Sequence, residues 1–352
     1  MNESIFSLPD LGWSHFFQQQ LDPETIETCE PARVFATHGQ LIDVIGSNGR
    51  DQVSLPGTWK LGDVENVPTV GDWLLIDSTT RQPVQLLHRK SLFRRIASGR
   101  DVRVQLLAAN VDTLFIVSSC NRDFNLSRLE RYLAMALDAG VTPVVVLTKI
   151  DMVDDIESFR KEAASLRANL FVEAVNSRDP DSVDQLRNWC GSGQTVALVG
   201  SSGVGKSTII NSLIGTEVQL TGDIRDVDEK GRHTTTARSL HFLPRGGLLL
   251  DSPGMRELQL GECEEGIATL FDEVEEVARQ CRFRDCRHQG EVGCAVAVAL
   301  EDGELDPRRV ENYLKLRAEQ ERLSETLVEK RRKDKAFGKM VKSAMSIKKK
   351  GK

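Results

Sequence analysis

The chain has 352 residues, of which 40% are hydrophobic and 28% are charged, and its formal net charge at pH 7 is −6. This length predicts two or three domains, and this composition is typical of a soluble globular protein. No apolar run approaches the roughly 20 residues that cross a membrane, and the first residues lack a secretory signal, so we expect a cytoplasmic protein without a membrane partner.

Residues 1–32 are polar and irregular, and we interpret them as an N-terminal extension in which residues 13–21, WSHFFQQQL, form a short helix. Over residues 33–98 the pattern changes to about five short runs that alternate apolar and polar residues and are separated by Gly, Pro and Asn-Gly. An oligonucleotide-binding (OB) barrel fits this pattern and would bind RNA. An SH3-like barrel would show much the same pattern.

Residues 105–262 have the pattern of an α/β domain. A polar connector is expected before this domain, over residues 94–105, RRIASGRDVRVQ. Apolar strands then alternate with amphipathic helices, which predicts a parallel sheet flanked by helices. The alternation stops over residues 222–238, which show no periodicity, and it resumes with two strands over residues 240–254.

Residues 263–329 are charged and helical. We expect one helix over residues 263–280 and a loop that contains Cys and His over residues 281–294. A later helix is expected to begin with Asp306 as its cap and Pro307 at its first position.

Residues 330–352 form a basic tail. It holds eleven Lys and Arg and one Asp, hence a charge of +10, so the rest of the chain carries −16. A basic tail on an acidic body indicates a polyanionic partner, most simply a nucleic acid. The alternative is a solvated tail that only aids solubility.

A phosphate-binding loop is predicted between an apolar strand and a helix, in the sequence GSSGVGKST. Its glycines let backbone N–H groups turn toward phosphate oxygens, Lys206 reaches the terminal phosphates, and the Ser207 hydroxyl is a ligand for Mg²⁺. The residues predicted to bind the nucleotide phosphates are Gly200, Ser201, Ser202, Gly203, Val204, Gly205, Lys206, Ser207 and Thr208.

Asp251 and Gly254 follow a second apolar strand in the pattern Asp-x-x-Gly. In P-loop enzymes the carboxylate of this motif holds the Mg²⁺ shell, and the Gly amide contacts the terminal phosphate. The motif is weak alone, but its position after a P-loop and an apolar strand makes it a convincing prediction.

The sequence Thr148-Lys149-Ile150-Asp151 ends a buried strand and indicates a guanine reader. The Asp151 carboxylate can accept hydrogen bonds from guanine N1–H and N2–H₂, a donor pair that adenine lacks. Lys149 would pack its stem along the base. The alternative is a strand-to-helix turn in which Asp151 caps a helix at residues 153–167.

The base reader precedes the P-loop, the reverse of the order in ordinary GTPases. A parallel sheet tolerates this change because ligand loops lie at the carboxyl ends of the strands, whichever strand comes first. A second base-side loop is expected near residues 174–177. The order of motifs predicts a circularly permuted GTPase domain.

The permuted order, the preceding small barrel, the sequence GRHTTT at residues 231–236 and the Cys/His loop together resemble the RsgA (YjeQ) family of small-ribosomal-subunit-dependent GTPases. The resemblance covers residues 33–325. It implies an OB barrel, a permuted GTPase domain and a helical zinc-binding domain. It also implies a role in late maturation of the small subunit, with hydrolysis stimulated by that subunit. Thr148 departs from the Asn that is usual in the family's base reader.

Cys281, Cys286, His288 and Cys294 supply three thiolates and an imidazole, the donor set of a closed tetrahedral zinc site. Their spacing matches the zinc motif of the family, and four ligands leave no open position, so one structural Zn²⁺ is expected per chain. The scattered cysteines are interpreted as small buried hydrophobic residues: Cys29, Cys120, Cys190 and Cys263.

The group that orients the attacking water is not the usual one, because Met255 occupies the position of the Ras-like Gln. His233 is the candidate catalytic residue, since an imidazole can accept a proton or a hydrogen bond from water. The alternative is a His that only contacts RNA or solvent. One switch threonine among Thr234, Thr235 and Thr236, assigned as Thr235, is expected on Mg²⁺ together with Ser207 and Asp251.

The predicted function is GTP hydrolysis stimulated by the small (30S) ribosomal subunit, with 16S rRNA as the bound nucleic acid and a monomeric protein. Two alternatives stay open at this point. One is a non-catalytic RNA-binding assembly factor with nucleotide as a structural ligand, and the other is an ATP-dependent P-loop enzyme, which Asp151 opposes.

Overall fold

The computed structural model describes residues 6–39, 41–60, 64–97, 103–215, 239–251 and 263–325. The strands found there are β1 (Cys29–His38), β2 (Leu41–Gly46), β3 (Gly49–Ser54), β4 (Trp73–Asp77), β5 (Pro83–Leu86), β6 (Leu92–Ala97), β7 (Arg103–Ala109), β8 (Thr113–Ser119), β9 (Thr142–Thr148), β10 (Phe171–Ala174), β11 (Thr195–Val199), β12 (Ser239–Phe242) and β13 (Leu248–Asp251).

The α-helices are α1 (His15–Gln18), α2 (Pro23–Thr28), α3 (Gly57–Lys60), α4 (Leu126–Asp138), α5 (Ile156–Ala164), α6 (Pro180–Asp184), α7 (Lys206–Ile214), α8 (Glu264–Leu270), α9 (Asp272–Ala278) and α10 (Ala295–Glu301). A last helix, α11, is described over residues 307–325. Within the described stretches, no helix combines the length and the apolar character that crossing a membrane requires.

The central part of the chain forms the predicted parallel sheet. Its strand order is β10-β9-β8-β11-β13-β12, in which β12 alone is antiparallel to its neighbour among the described strands. Strands β8 and β11 are buried along their whole length. Side chains of β8 alternate between two apolar clusters, with Leu114 and Ile116 on the α4 side and Phe115 and Val117 on the α7 side. Helices therefore cover both faces, as continuous apolar runs indicate.

The N-terminal strands form an antiparallel sheet of five strands in the order β3-β2-β1-β4-β5, whereas a sixth strand of the range predicted as a barrel, β6, pairs with β7 instead. Among the described residues no pairing joins β3 to β5, so the structure does not show a closed OB barrel. Strand β1 carries a bulge between Val34 and Ala36. Beyond the bulge, Ala36 pairs with Ser239 of β12, which makes the two sheets one continuous sheet of eleven strands.

The polar connector predicted over residues 94–105 is wrong. Strands β6 and β7 pair there as an antiparallel hairpin, with Arg95 opposite Gln105 and a side-chain hydrogen bond of 2.9 Å between them. The charged side chains obscured the strands: in β6 Phe93 is buried while Arg94 and Arg95 are half-buried, and in β7 residues 106–109 are all buried. One buried face is enough to favour a strand, even when the other face is charged.

The N-terminal extension packs on the body of the protein. Leu11 and Phe17 are buried against Trp73, and Phe17 lies in the predicted short helix. The guanidinium of buried Arg33 donates hydrogen bonds to the carbonyl oxygens of Leu11, Gly71 and Asn110, at 2.6, 3.2 and 2.9 Å. Burial lowers the pKa of Arg33 to about 10, against the raising effect of Asp112 and Asp72. Arg33, in β1, thus ties the extension to the loop before β4 and to the loop after β7.

The C-terminal helices pack against α4. The single helix predicted over residues 263–280 is wrong: α8 and α9 are separated at Phe271, whose backbone leaves the helical region (φ −112°, ψ 41°) and whose side chain is fully buried. The predicted start of α11 is confirmed, since Asp306 Oδ1 accepts the Arg308 backbone N–H at 2.8 Å.

Candidate nucleotide site and metal centre

Three motifs that are far apart in sequence meet at one edge of the sheet. Strand β8 pairs in parallel with both β9 and β11, and β11 pairs in parallel with β13. The carboxyl ends of parallel strands lie at the same edge. The P-loop follows β11, the segment 148–151 ends and follows β9, and Asp251 is the last residue of β13. The permuted chain order therefore still assembles one site.

The lysine of the P-loop is hydrogen-bonded to the backbone of the loop itself. Lys206 is buried, and its Nζ donates to the carbonyl oxygens of Gly200 and Ser201 at 2.7 and 2.5 Å. Gly200 has a φ of 142°, and a Cβ there would lie 2.3 Å from the Val117 carbonyl oxygen, so only glycine fits at this turn. The ammonium is thus held at the centre of the loop.

The hydroxyl and carboxylate groups predicted for Mg²⁺ lie on this edge with different exposure. Ser207 and Thr208, in the first turn of α7, are exposed, as are Ser202 and Gly203 of the loop. Asp251 is half-buried at the end of β13. A serine hydroxyl and a carboxylate are hard oxygen donors, which fit Mg²⁺.

Thr148 joins the base reader to the P-loop. Its side chain is fully buried, and Thr148 Oγ1 donates to the carbonyl oxygen of Val204 at 2.6 Å. The carbonyl oxygen of Ser118 lies 3.3 Å from the same hydroxyl. Thr148, which stands where the family usually has Asn, therefore links the base reader to the P-loop by a hydrogen bond.

The base-reading turn is set by its backbone. Lys149 has φ 58° and ψ 34°, a left-handed conformation that is uncommon for a residue other than glycine and that concentrates at functional sites. Asp151 is exposed in the turn that follows. Helix α5 is capped by Asp155, whose carboxylate accepts the Ser158 N–H at 3.1 Å. The alternative in which Asp151 caps this helix is excluded.

The second base-side loop, near residues 174–177, also reaches the P-loop. Ser177 is buried, and a Cβ on Gly205 would lie 3.1 Å from Ser177 Oγ. The backbone N–H of Val175 donates to the Leu147 carbonyl oxygen at 2.8 Å, which holds this loop beside the base reader. The sequence predicted the position of this loop, but it did not predict that Ser177 packs the loop against the P-loop.

Arg128 was missed by the sequence motifs. It lies in the first turn of α4, and its Nη1 donates to Ser201 Oγ at 2.6 Å. No pattern in the sequence marks it, because its neighbour in the P-loop is 73 residues away. Three predicted site residues lie outside the described residues: His233, Thr235 and Gly254.

The three cysteines and the histidine of residues 281–294 come together as predicted. The ligand atoms of Cys281, Cys286, His288 and Cys294 all lie within 4.8 Å of one another. His288 Nδ1 is 3.5 Å from the Sγ atoms of Cys281 and of Cys294. Three thiolates and one imidazole at this separation fit a tetrahedral structural Zn²⁺ and leave no open ligand position.

The start of α10 favours the ionised form of one thiol at this centre, Cys281. Burial raises the pKa of Cys281, but hydrogen bonds from the backbone N–H groups of Val296 and Ala295 and from the two neighbouring thiols together outweigh it, so the pKa is lowered overall. At Cys286 the His288 backbone N–H lowers the pKa, but burial and the neighbouring thiols raise it, to about 11. The Ala297 N–H also donates to Cys294 Sγ at 3.4 Å. Thiolates are the metal-binding form of cysteine, so this helix start prepares Cys281 for the metal.

The remaining cysteines are not part of the centre. Burial raises the pKa values of the three buried thiols, to about 11 for Cys120 and about 12 for Cys190 and for Cys263. They are the small buried residues that the sequence predicted. Cys29 is only half-buried.

Comparison with known proteins identifies the family. Residues 86–261 match the family model described as RsgA GTPase, and residues 195–328 match the model described as 50S ribosome-binding GTPase. The small ribosomal subunit biogenesis GTPase RsgA 2 of Vibrio vulnificus is 48% identical over 345 residues, which cover 98% of this chain and 97% of that relative. The chain belongs to the RsgA GTPase family.

Further relatives agree with this assignment. The small ribosomal subunit biogenesis GTPase RsgA of Mesorhizobium japonicum is 49% identical and covers 88% of this chain. The alignment covers 89% of that relative. Among solved structures, YjeQ from Thermotoga maritima has a TM-score of 0.60 at 25% identity and covers 83% of this chain and 98% of its own. YloQ, described as a circularly permuted GTPase, has a TM-score of 0.59 at 22% identity over 83% of this chain and 95% of its own. The permuted order predicted from the motifs is confirmed.

Removing one ligand should release the metal from this RsgA-family protein. We expect Cys286→Ser to weaken zinc affinity by more than about 100-fold, because losing an outer-shell partner alone costs 10- to 100-fold. Zinc content measured by mass spectrometry should fall from one per chain, and hydrogen exchange of residues 281–301 should become faster.

Cys29→Ser is the matched control, since Cys29 is also half-buried but lies outside the cluster. It should retain zinc. A wild-type protein that holds no zinc, or a Cys286→Ser variant that holds as much as the control, would contradict the structural-zinc assignment.

Proposed function

We propose that this protein hydrolyses GTP to GDP and phosphate during late maturation of the small ribosomal subunit, and that the subunit stimulates the hydrolysis. The observation that carries the proposal is the 48% identity, over 98% of the chain, to a protein named small ribosomal subunit biogenesis GTPase. The convergence of a P-loop and a guanine-reading motif at one sheet edge supports it independently. A cytoplasmic location follows from this role.

In the proposed complex the guanine base lies on Thr148, Lys149, Ile150 and Asp151, and the phosphates lie in the loop 200–208. Lys206 would move from its two carbonyl partners to phosphate oxygens, which are stronger acceptors because they are charged. The Gly254 amide would contact the terminal phosphate. Mg²⁺ would be held by Ser207, Asp251 and Thr235, and would neutralise charge on the phosphates.

His233 is the proposed catalytic group. Met255 cannot orient water, so a different side chain is needed for the role that Gln has in Ras-like enzymes. An imidazole can accept a hydrogen bond or a proton from the attacking water at neutral pH. We propose that binding of the subunit brings His233 toward that water.

The proposed partner surface is RNA of the small subunit, 16S rRNA, bound by a monomer. The antiparallel strand order β3-β2-β1-β4-β5 supports an OB-type domain, and the +10 charge of residues 330–352 supports contact with phosphates. The proposed divisions of the chain are 1–32 extension, 33–98 OB barrel, 105–262 GTPase domain, 263–329 zinc-binding helical domain and 330–352 basic tail.

The experiment is a GTP turnover assay with and without purified small subunits, on wild type, His233→Ala and a chain ending at residue 329. Wild-type turnover should rise by at least about tenfold with subunits. His233→Ala should lower the stimulated rate by about 100-fold, the usual effect of a positioned proton acceptor. The shortened chain should bind subunits less tightly and with a weaker dependence on salt.

GTP binding without turnover, in the presence or absence of subunits, would favour the non-catalytic assembly factor. Equal stimulation of wild type and His233→Ala would remove His233 from the catalytic role. Unchanged binding of the shortened chain at low salt would assign the tail to solubility.

A further inference from the structure

The first turn of α4 faces the P-loop. Strand β8 lies parallel to β11, so the helix that follows β8 begins at the edge where the P-loop lies. Arg128 reaches across this edge, and its Nη1 donates to Ser201 Oγ at 2.6 Å. Ser201 directly follows Gly200, the first glycine of the loop. The guanidinium therefore lies beside the phosphate-binding residues.

The energetics of the helix do not explain an arginine at this position. Leu126 is the first helical residue, and Asn125 Oδ1 accepts the Arg128 N–H at 2.9 Å, so Arg128 lies in the first turn. A cation there opposes the helix dipole and destabilises the helix. The first turns of α4 and α7, both within the described residues, contain no acidic side chain. Positive charge therefore gathers at one edge of the sheet, from the N-termini of α4 and α7 and from the side chains of Arg128 and Lys206. This charge favours a bound anion.

Helix α4 holds Arg128 in a fixed frame. Glu130, two residues further along α4, is fully buried and accepts hydrogen bonds from Arg308, Arg309 and Asn312 at 2.6–3.1 Å. Because these hydrogen bonds anchor α4, the Arg128 guanidinium on it needs little rearrangement to stabilise charge that develops on a nearby phosphate.

We propose that Arg128 is a second phosphate-facing cation of this site, which moves from Ser201 Oγ to the terminal phosphate when GTP is bound. The inference rests on the proposed GTP hydrolysis. Water attacks the terminal phosphorus as the bond to the bridging oxygen breaks, and the water proton passes to a base. GDP and inorganic phosphate leave. Arg128 forms and breaks no covalent bond; it stabilises charge on the phosphate oxygens, and its five N–H donors are not exhausted by one hydrogen bond to Ser201.

The test compares Arg128→Ala and Arg128→Lys with wild type in two measurements. The first is single-turnover GTP hydrolysis with small subunits bound, and the second is the affinity for GDP and for a non-hydrolysable GTP analogue. Arg128→Ala should lower the hydrolysis rate by about 100-fold or more, as loss of a charge-stabilising donor does. Analogue affinity should fall more than GDP affinity. Arg128→Lys should recover part of the rate, because the charge stays but the planar fork is lost.

Arg160→Ala is the matched control. It removes a part-exposed arginine from α5, where its partner is Glu157 at 3.6 Å, and it should behave as wild type. Hydrolysis by Arg128→Ala within threefold of wild type would overturn the proposal. Equal losses of GDP and analogue affinity would also overturn it, since they would show that Arg128 only shapes the P-loop. Failure of the wild type to hydrolyse GTP would instead contradict the proposed function.

Discussion

Asp151→Asn is expected to change the base preference from guanine to xanthine. The substitution replaces two acceptor oxygens with one acceptor and one donor, so the pair to guanine N1–H and N2–H₂ is lost. Xanthine carries an oxygen at position 2, which the new amide can reach with its N–H. Loss of the paired acceptor should cost about 2–4 kcal/mol of GTP affinity, which is a factor of about 30 to 700. Fluorescence titration with GTP and XTP measures both changes.

Asp154→Asn provides the control, because Asp154 is exposed in the same loop and the exchange is chemically identical. It should leave both affinities unchanged. Since Asp155 rather than Asp151 caps α5, the Asp151 variant should also keep the helix intact, as circular dichroism can show. GTP affinity that is the same in both variants would remove Asp151 from the base site.

Glu130→Gln is expected to weaken the attachment of α11 to the GTPase domain. The buried carboxylate is the counter-charge of Arg308 and Arg309, at 3.0 and 3.1 Å. Its removal leaves Arg309 with Glu273, at 2.5 Å, and Arg308 with Asp306, at 3.9 Å, as carboxylate partners. Loss of a fully buried ion partner typically costs about 3–5 kcal/mol. Urea unfolding followed by circular dichroism should show this loss, and hydrogen exchange over residues 307–325 should become faster.

The control for this loss is Glu157→Gln, which removes the carboxylate of an exposed ion pair with Arg160, at 3.6 Å. Exposed pairs contribute little, and Glu157 adds only the small effect of an acidic residue in the first turn of α5, so this variant should change the free energy of unfolding by no more than about 1 kcal/mol. If Glu130→Gln is as stable as Glu157→Gln, the buried cluster does not hold the two parts of the protein together.

Local patterns predicted those features that depend on residues close in sequence. The P-loop, the base reader and the Cys/His loop are each contained in a few neighbouring residues, and their chemistry depends on residue type and spacing. Continuous apolar runs predicted the parallel sheet, because a strand buried on both faces needs apolar side chains at every position. Asp306 and Pro307 predicted the start of α11 because capping is a local interaction.

Patterns failed where distant residues decided the outcome. The β6/β7 hairpin was obscured by its arginines, and the break at Phe271 accompanies the burial of one aromatic ring that helical periodicity does not predict. The packing of Leu11 and Phe17 against Trp73 depends on a surface that the chain forms some 60 residues later in sequence, as the numbering shows.

By itself, the sequence determined which motifs this protein carries: a P-loop, a guanine-reading motif placed before it, and three cysteines and a histidine with the donor set of a zinc site within fourteen residues. The tertiary structure alone decided how these parts act together. It joined β1 to β12, tied Thr148 to Val204, placed Arg128 on Ser201 and buried Glu130 beneath α11. The physical reason is that residue type sets which interaction a side chain can make, whereas the fold sets its partner. The partners are distant in sequence: the hydrogen bonds of Thr148, Arg128 and Glu130 join residues that are 56, 73 and 182 positions apart.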